Sequence, residues 1–313
     1  MSDQLSGERV SVIIPSSGRS PALLERAVES ALRQKGVCVE VVVVFDGCNG
    51  NASLGVSTHV TVISIGSVVV PAGPSTARNV GVHASTGVFV AFLDDDDWWS
   101  DEEYLSGSVS ALKAIGTSLC VSDLRTADAD GVGVDEYLEL RRLCVGSPVG
   151  DGAFTGDRRA WLDLLGRRHP HLDVCVFRRS TLLELGAFNP ALRFGEDGDL
   201  LFRWSDRSET LAVQPRVCAT LSVRRDDSLA AGMLETTKLG YRVLRGLLLA
   251  GSARNSDVRR LAGKLLAWDL GDYAALVRRQ SLWLGVRLTI GAWILRPMLS
   301  RLANVLLSVV TRR

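Results

Sequence analysis

Paired cysteines, glycine-rich phosphate loops and long apolar runs are what this sequence lacks. Its six cysteines (Cys38, Cys48, Cys120, Cys144, Cys175 and Cys218) form no CxxC pair and no zinc-ligand spacing. That excludes a disulfide framework and a zinc ribbon, and predicts free thiols in a reducing, cytoplasmic setting. The opening residues, MSDQLSGERV, are not the basic and then apolar pattern of a leader. No segment supplies the ~18 uninterrupted apolar residues of a spanning helix; the tail comes nearest, and Arg287, Arg296 and Arg301 break it up. No GxGxxG follows the first predicted strand, and neither GxxxxGK(S/T) nor a Gly-x-Ser-x-Gly elbow occurs. These absences argue against a dinucleotide dehydrogenase, a P-loop ATPase and an α/β-hydrolase. The four histidines (His59, His83, His169, His171) make no metal or triad spacing and read as surface or core-satisfied residues.

What is present suffices for a large core: 46% of the 313 residues are hydrophobic. A formal net charge of +1 conceals an asymmetry, since Lys238 to Arg313 carry 14 Lys/Arg against three acids, a net of +11, which leaves −10 for residues 1–237. The two parts are expected to do different jobs. Short apolar runs at Val10–Ile14, Val39–Phe45, Val60–Ile65, Val88–Leu93 and Ser118–Ser122 predict buried parallel strands. Helices are predicted between them: one opened by Ser20 and Pro21 and ended by Gly36, one over Ser75–Ser85, and one over Leu105–Ile115. Such alternation predicts a doubly wound, mostly parallel α/β sheet over residues 8–125. A further strand is expected at Arg216–Val223, and helices beyond residue 230.

Ligands in such sheets bind beyond the carboxyl ends of the strands, which is where Asp46 and the run Asp94-Asp95-Asp96-Asp97 fall. Adjacent carboxylates repel unless a cation or water screens them, and hard divalent ions such as Mg²⁺ or Mn²⁺ take oxygen ligands together with substrate phosphates. A solvated acidic turn above Trp98 and Trp99 would explain the same run. A second cluster, Glu196, Asp197 and Asp199, precedes a helical pattern and is open to two readings: helix N-terminal acids, or a proton acceptor beside a metal and diphosphate site.

The ordered segments VSVIIPSSGR, VVVVFDG, GPSTARNVGVHASTGVFVAFLDDDDWW, FRRSTLLELGAFNP and FGEDGDLLFRW resemble inverting family 2 glycosyltransferases of the GT-A fold, over roughly residues 8–225. The resemblance implies a nucleotide-diphosphate sugar donor, a saccharide or lipid-linked acceptor, a divalent cation (Mn²⁺ or Mg²⁺) and no nucleic acid. It implies further that Pro15, Ser16 and Arg19 lie in the loop around the donor base, that Asp46 accepts the base N–H, and that Arg78 and Asn79 lie near the nucleotide. Asp94 would fall on the ribose-proximal acid, with Asp95 beside it and Asp96 on the metal-proximal one, Asp94 and Asp96 together holding the metal. Asp197 would be the general base, and Glu196 and Asp199 its support. Many relatives carry two acids where this chain has Asp46-Gly47, and a His where Arg224 and Arg225 stand; arginine can pair with a diphosphate and cannot ligate a metal.

The boundaries expected are a catalytic domain over 1–229, with a donor half near 8–125 and an acceptor half near 126–229, and a basic helical tail over 230–313. Residues 281–313 read as two helices split at Pro297, suited either to an anionic membrane surface or to packing on the protein. Two other functions fit less of the sequence: a sugar-nucleotide-forming nucleotidyltransferase, and a lapsed nucleotide-binding scaffold.

Overall fold

In the computed structural model, residues 7–48, 58–67, 69–128, 133–168, 170–207, 210–222 and 233–278 are described. The chain divides into two compact units. The first comprises Met1–Leu164, Arg168–Pro190 and Thr210–Arg224; the second comprises Leu165–Arg167, Ala191–Glu209 and Arg225–Arg313. The segment holding Glu196 and Asp197 therefore groups with the C-terminal helices and not with the sheet.

The first unit begins with β1 (Arg9–Ser16), α1 (Pro21–Leu32), β2 (Cys38–Asp46), β3 (Val60–Ile65), α2 (Pro74–Ala84) and β4 (Phe89–Phe92). Strands β3, β2, β1 and β4 are neighbours in that order and all parallel. The residues of β1, β2 and β4 are largely buried on both faces, as the continuous β-branched runs require: Val10, Val12, Ile13, Ile14 and Val41 to Val44 have no more than 1% exposure, whereas the edge strand β3 is partly exposed, with Val62 at 44%. Helix α1 starts at Pro21 as expected but ends before Gly36, whose φ of 72° sets the turn into β2. Ser20 precedes the helix without a side-chain capping bond.

The chain continues through β5 (Trp98–Trp99), α3 (Tyr104–Ile115), β6 (Leu119–Ala127), β7 (Cys144–Val149), β8 (Ala153–Gly156), α4 (Arg158–Arg167), β9 (Cys175–Arg178) and α5 (Arg179–Glu184). After α6 (Glu196–Arg207) comes β10 (Ala212–Ser222). The full sheet order is β3-β2-β1-β4-β9-β6-β10-β8-β7, with β5 on β10. The expected α/β architecture is borne out, with one unforeseen device: β9 is antiparallel to both of its neighbours, β4 and β6. Strand β10 starts four residues before the predicted one and passes an irregularity between Gln214 and Val217, where Pro215 removes a ladder N–H.

The second unit contains α6, α7 (Glu235–Ser252) and α8 (Ser256–Arg278). Gly246 lets α7 approach α8 closely, since a Cβ there would lie 2.9 Å from the Cβ of Leu266. Arg242 pairs with the buried Asp269 across the same helices at 2.5 Å. Among the described residues no helix is long and apolar enough to cross a membrane. The proposed amphipathic tail, 281–313, lies outside the described residues, as do Arg224 and Arg225.

Helix α2 covers Val42 and Val44 of β2 through Ala77, with Ile63, Ile65 and Val80 around them. Gly81 sits where that helix crosses β1: an added Cβ would meet Ile13 Cγ2 at 2.4 Å. Overpacking of this kind costs about 1–3 kcal/mol. Gly81→Ala is therefore expected to lower the free energy of unfolding by that order, read as a lower urea midpoint, and an unchanged midpoint would show that α2 has room to lift.

Candidate active site

Topology gathers the site. Strands β1, β2, β3 and β4 run in parallel, so Ser16, Asp46 and the turn after Phe92 all reach the carboxyl edge of the sheet. Because β9 is reversed, the residues that lead into it arrive at the same edge as those that leave β4. The backbone N–H of Asp94 accordingly donates to Asp173 Oδ1 at 3.0 Å. Strand β10, parallel to β6, also ends there, and the Ser222 N–H donates to Asp97 Oδ1 at 2.7 Å.

The four carboxylates of the run meet different partners. Asp94 Oδ1 accepts from Arg78 Nη2 at 2.8 Å, an ion pair whose arginine is almost wholly buried. Asp95 accepts from the Ser16 hydroxyl, which itself accepts from the Gly18 N–H at 3.0 Å. Burial raises the Asp95 carboxyl above its ordinary range, opposed by Ser16 and by the charge of the exposed Arg19. Burial, reinforced by the like charges of Asp94, Asp95 and Asp173, pushes Asp96 up to about 6. Asp97 is 1% exposed and is raised well above the usual range by burial and by Asp173.

The turn itself is held from outside. Arg26 donates to the Asp96 carbonyl at 2.7 Å and stacks its guanidinium 3.7 Å from the Trp98 ring centroid. The Trp99 indole donates to the Asp173 carbonyl at 2.8 Å, and its backbone N–H to Ser30 Oγ at 3.2 Å. Both tryptophans thus fix where the carboxylates stand.

Some residues expected at the site do other work. Asp46 takes backbone N–H bonds from Ala72 and Gly73, both at 2.7 Å, so its carboxylate anchors the loop that leads into α2. Asn79 donates to the Phe188 carbonyl and accepts from the Phe188 N–H, each at 2.8 Å, which spends its amide on tying α2 to the segment after α5. Pro15 is half-buried at the end of β1. In the second unit, Glu196, Asp197 and Asp199 open α6; Asp197 Oδ1 accepts from the Gly198 N–H at 2.7 Å and Asp199 pairs with Arg203 at 2.7 Å.

The expectation that no histidine joins a metal pattern fails at His171. Asp94, Asp97, His171 and Asp173 each present a ligand atom, and these atoms lie within 4.8 Å of one another. The set includes Asp94 and not Asp96. His171 Nε2 stands 3.6 Å from Asp94 Oδ2, and its Nδ1 stands 3.2 Å from Asp173 Oδ2. That second contact is out of hydrogen-bond alignment, so both atoms are buried without a bonded partner. Burial alone would lower the His171 imidazolium, but Asp173, Asp94 and Asp97 outweigh it and hold its pKa well above the usual value. Asp173 is lowered despite its burial, chiefly by His171. Orphaned donor atoms among three carboxylates and an imidazole fit a divalent cation. Sequence alone offers one faint sign of them, the HLDV segment directly before the β-branched run into Phe177.

With this geometry in view, comparison with known proteins places the chain. Residues 11–139 match the model of Glycosyl transferase family 2. That segment, less than half of the chain, is similar to glycosyltransferase family 2. Over 122 residues, 38% of the chain, it is 35% identical to the succinoglycan biosynthesis protein ExoO of Rhizobium meliloti (strain 1021). The chain spans about a third, 34%, of that relative's length. Its fold is similar to that of S. aureus TarS 1–349 in complex with UDP-GlcNAc, with a TM-score of 0.62 at 17% identity over 87% of this chain and 74% of that one. A second structure of S. aureus TarS 1–349 gives a TM-score of 0.60 at 17% identity, over 94% of this chain and 80% of that one. These likenesses show a GT-A type fold.

The raised Asp96 makes a pH prediction. Its folded form holds the proton more tightly than an unfolded Asp of pKa about 3.9, so this carboxyl's contribution to stability is present below that value and lost as pH rises through about 6. In the presence of a chelator, Asp96→Asn is expected to raise the thermal midpoint near neutrality and to shift it little at about pH 4. A lower midpoint at both pH values would mean that Asp96 is stabilised as a carboxylate.

Proposed function

We propose that this protein is a metal-assisted, inverting glycosyltransferase that moves a sugar from a nucleoside-diphosphate sugar to an acceptor hydroxyl in the synthesis of a surface polysaccharide or related glycoconjugate. The observation that carries this reading is the set Asp94, Asp97, His171 and Asp173, gathered beyond the carboxyl ends of the parallel strands in a family 2 domain. The name of the ExoO relative supports polysaccharide synthesis, and the UDP-GlcNAc and UDP bound by TarS support a uridine-diphosphate class of donor.

In this reading the donor base lies over Pro15, Ser16 and Arg19, on loops whose shape Asp46 and Asn79 maintain. Arg78 holds Asp94 in place for the cation and ribose. A divalent cation bound by the acidic set would neutralise the diphosphate and, as a Lewis acid, stabilise it as a leaving group. Arg224 and Arg225 would add charge-assisted hydrogen bonds to the same diphosphate. Asp197 takes the proton from the acceptor hydroxyl as that oxygen attacks the anomeric carbon. The bond from that carbon to the diphosphate breaks on the opposite face, which inverts the configuration and releases a nucleoside diphosphate.

Asp94→Asn is expected to weaken Mn²⁺-dependent binding of UDP by tenfold or more in calorimetry, whereas Asp197→Asn should retain binding and lose transfer. Release of pyrophosphate instead of nucleoside diphosphate would favour a nucleotidyltransferase, and metal-independent binding unaffected by Asp94 would leave the acidic run a solvated turn. The basic tail extends the proposal to peripheral attachment at an anionic membrane face. Replacing Arg287, Arg296 and Arg301 by Glu should abolish co-sedimentation with phosphatidylglycerol vesicles; undiminished co-sedimentation would remove the tail from that role.

A further inference from the structure

We propose that His171 and Asp173 are direct ligands of the divalent cation, so that the metal site is completed from the segment leading into β9, and that the imidazole turns the site away from Mg²⁺ toward Mn²⁺. This rests on the reading of the acidic set as a cation site.

Two observations carry it. Asp173 is 1% exposed, its Oδ1 takes the Asp94 N–H, and its Oδ2 stands 3.2 Å from His171 Nδ1 without an aligned hydrogen bond. A buried carboxylate oxygen left in that state is unfavourable by an amount comparable to a lost hydrogen bond or more, unless something occupies it. The second is placement: His171 Nδ1 and Nε2 face Asp173 and Asp94 from within 3.6 Å, while Asp97 closes the set, with all four ligand atoms inside 4.8 Å of one another. Side chains from the turn after β4 and from the segment before β9 thus converge on one point, which an acidic surface turn would not require. Asp94 is balanced in part by Arg78 and Asp173 by His171, so three carboxylates face two cationic partners. As for selectivity, Mg²⁺ is an oxygen-seeking ion that dehydrates reluctantly, and a nitrogen ligand favours first-row transition ions over it.

The rival is that His171 acts as an imidazolium counter-ion which makes a metal unnecessary. The two roles predict opposite signs. A counter-ion repels the metal, so its removal tightens cation binding; a ligand's removal loosens it.

The test is a titration of full-length protein with Mn²⁺, alone and with UDP, followed by electron paramagnetic resonance. Mg²⁺ competition is measured alongside, and thermal midpoints in chelator report folding. His171→Gln and Asp173→Asn are expected to weaken Mn²⁺ at least about tenfold, the lower bound for loss of a group that orients or supplies a ligand. His171→Gln should also narrow the preference for Mn²⁺ over Mg²⁺ and remove the directly coordinated nitrogen signal seen with ¹⁵N-histidine-labelled wild type. Where Asp173→Asn proves too unstable, His171→Gln and the nitrogen signal decide alone. Unchanged or tighter Mn²⁺ binding in His171→Gln, with binding still lost in Asp94→Asn, would overturn the assignment and leave the metal-assisted reading standing. Wild type that binds no Mn²⁺ with or without UDP, yet transfers sugar in chelator, would overturn the metal-assisted reading and the assignment with it.

Discussion

Like-charge repulsion among desolvated carboxylates is the constraint around which the sheet edge is built. Asp94 to Asp97 leave a strand buried on all sides, and Asp173 approaches from the short helical turn that leads into β9. Each would be strongly disfavoured as an isolated ion there. Arg78, the Ser16 hydroxyl, the Ser222 N–H and His171 answer that repulsion one carboxylate at a time. Asp96 has its carbonyl held by Arg26, while burial and like charges outweigh a backbone hydrogen bond to its carboxyl and push that group up to about 6. The edge is therefore rigid and under electrostatic tension, a state that favours any cation able to enter it.

The reversal of one short strand makes this possible. Were β9 parallel to β4, residues 171–174 would enter the sheet at its opposite edge, some distance from the acidic turn. Antiparallel pairing of Ala91 with Val176 and Phe89 with Arg178 instead carries the register on to Asp94 opposite Asp173, where the backbone bond between them forms. The indole of Trp99 reading the Asp173 carbonyl locks the same alignment from the other side. A register slip of one residue in β9 would take Asp173 out of line with the Asp94 N–H, so specificity of strand pairing and the chemistry of the site are one requirement.

The parallel half was legible in the sequence because strands buried on both faces leave continuous runs such as Val39–Phe45, and the helices between them carry terminal Pro and Gly signals. Strand β9 was not legible as a separate element: four residues, Cys175–Arg178, flow directly into α5 without a turn signal. His171 and Asp173 were hidden for that reason, since what brings them to the site is strand order, which periodicity does not encode. Asp46 and Asn79 illustrate a different limit. Their positions were marked by family resemblance, but the bonds to Ala72, Gly73 and Phe188 are made to backbone groups, and no residue type announces a backbone partner.

An imidazole supplied before β9 also bears on the oddest departure of this sequence from its relatives, the Arg224-Arg225 pair where many carry a histidine. In the proposed site the nitrogen ligand comes from His171, which would leave Arg224 and Arg225 for contact with substrate. Arginine suits that role, since its planar fork grips diphosphate oxygens bidentately and stays charged at any physiological pH. In the proposed site, loss of His171 would leave the chain with arginines that cannot replace it as a ligand.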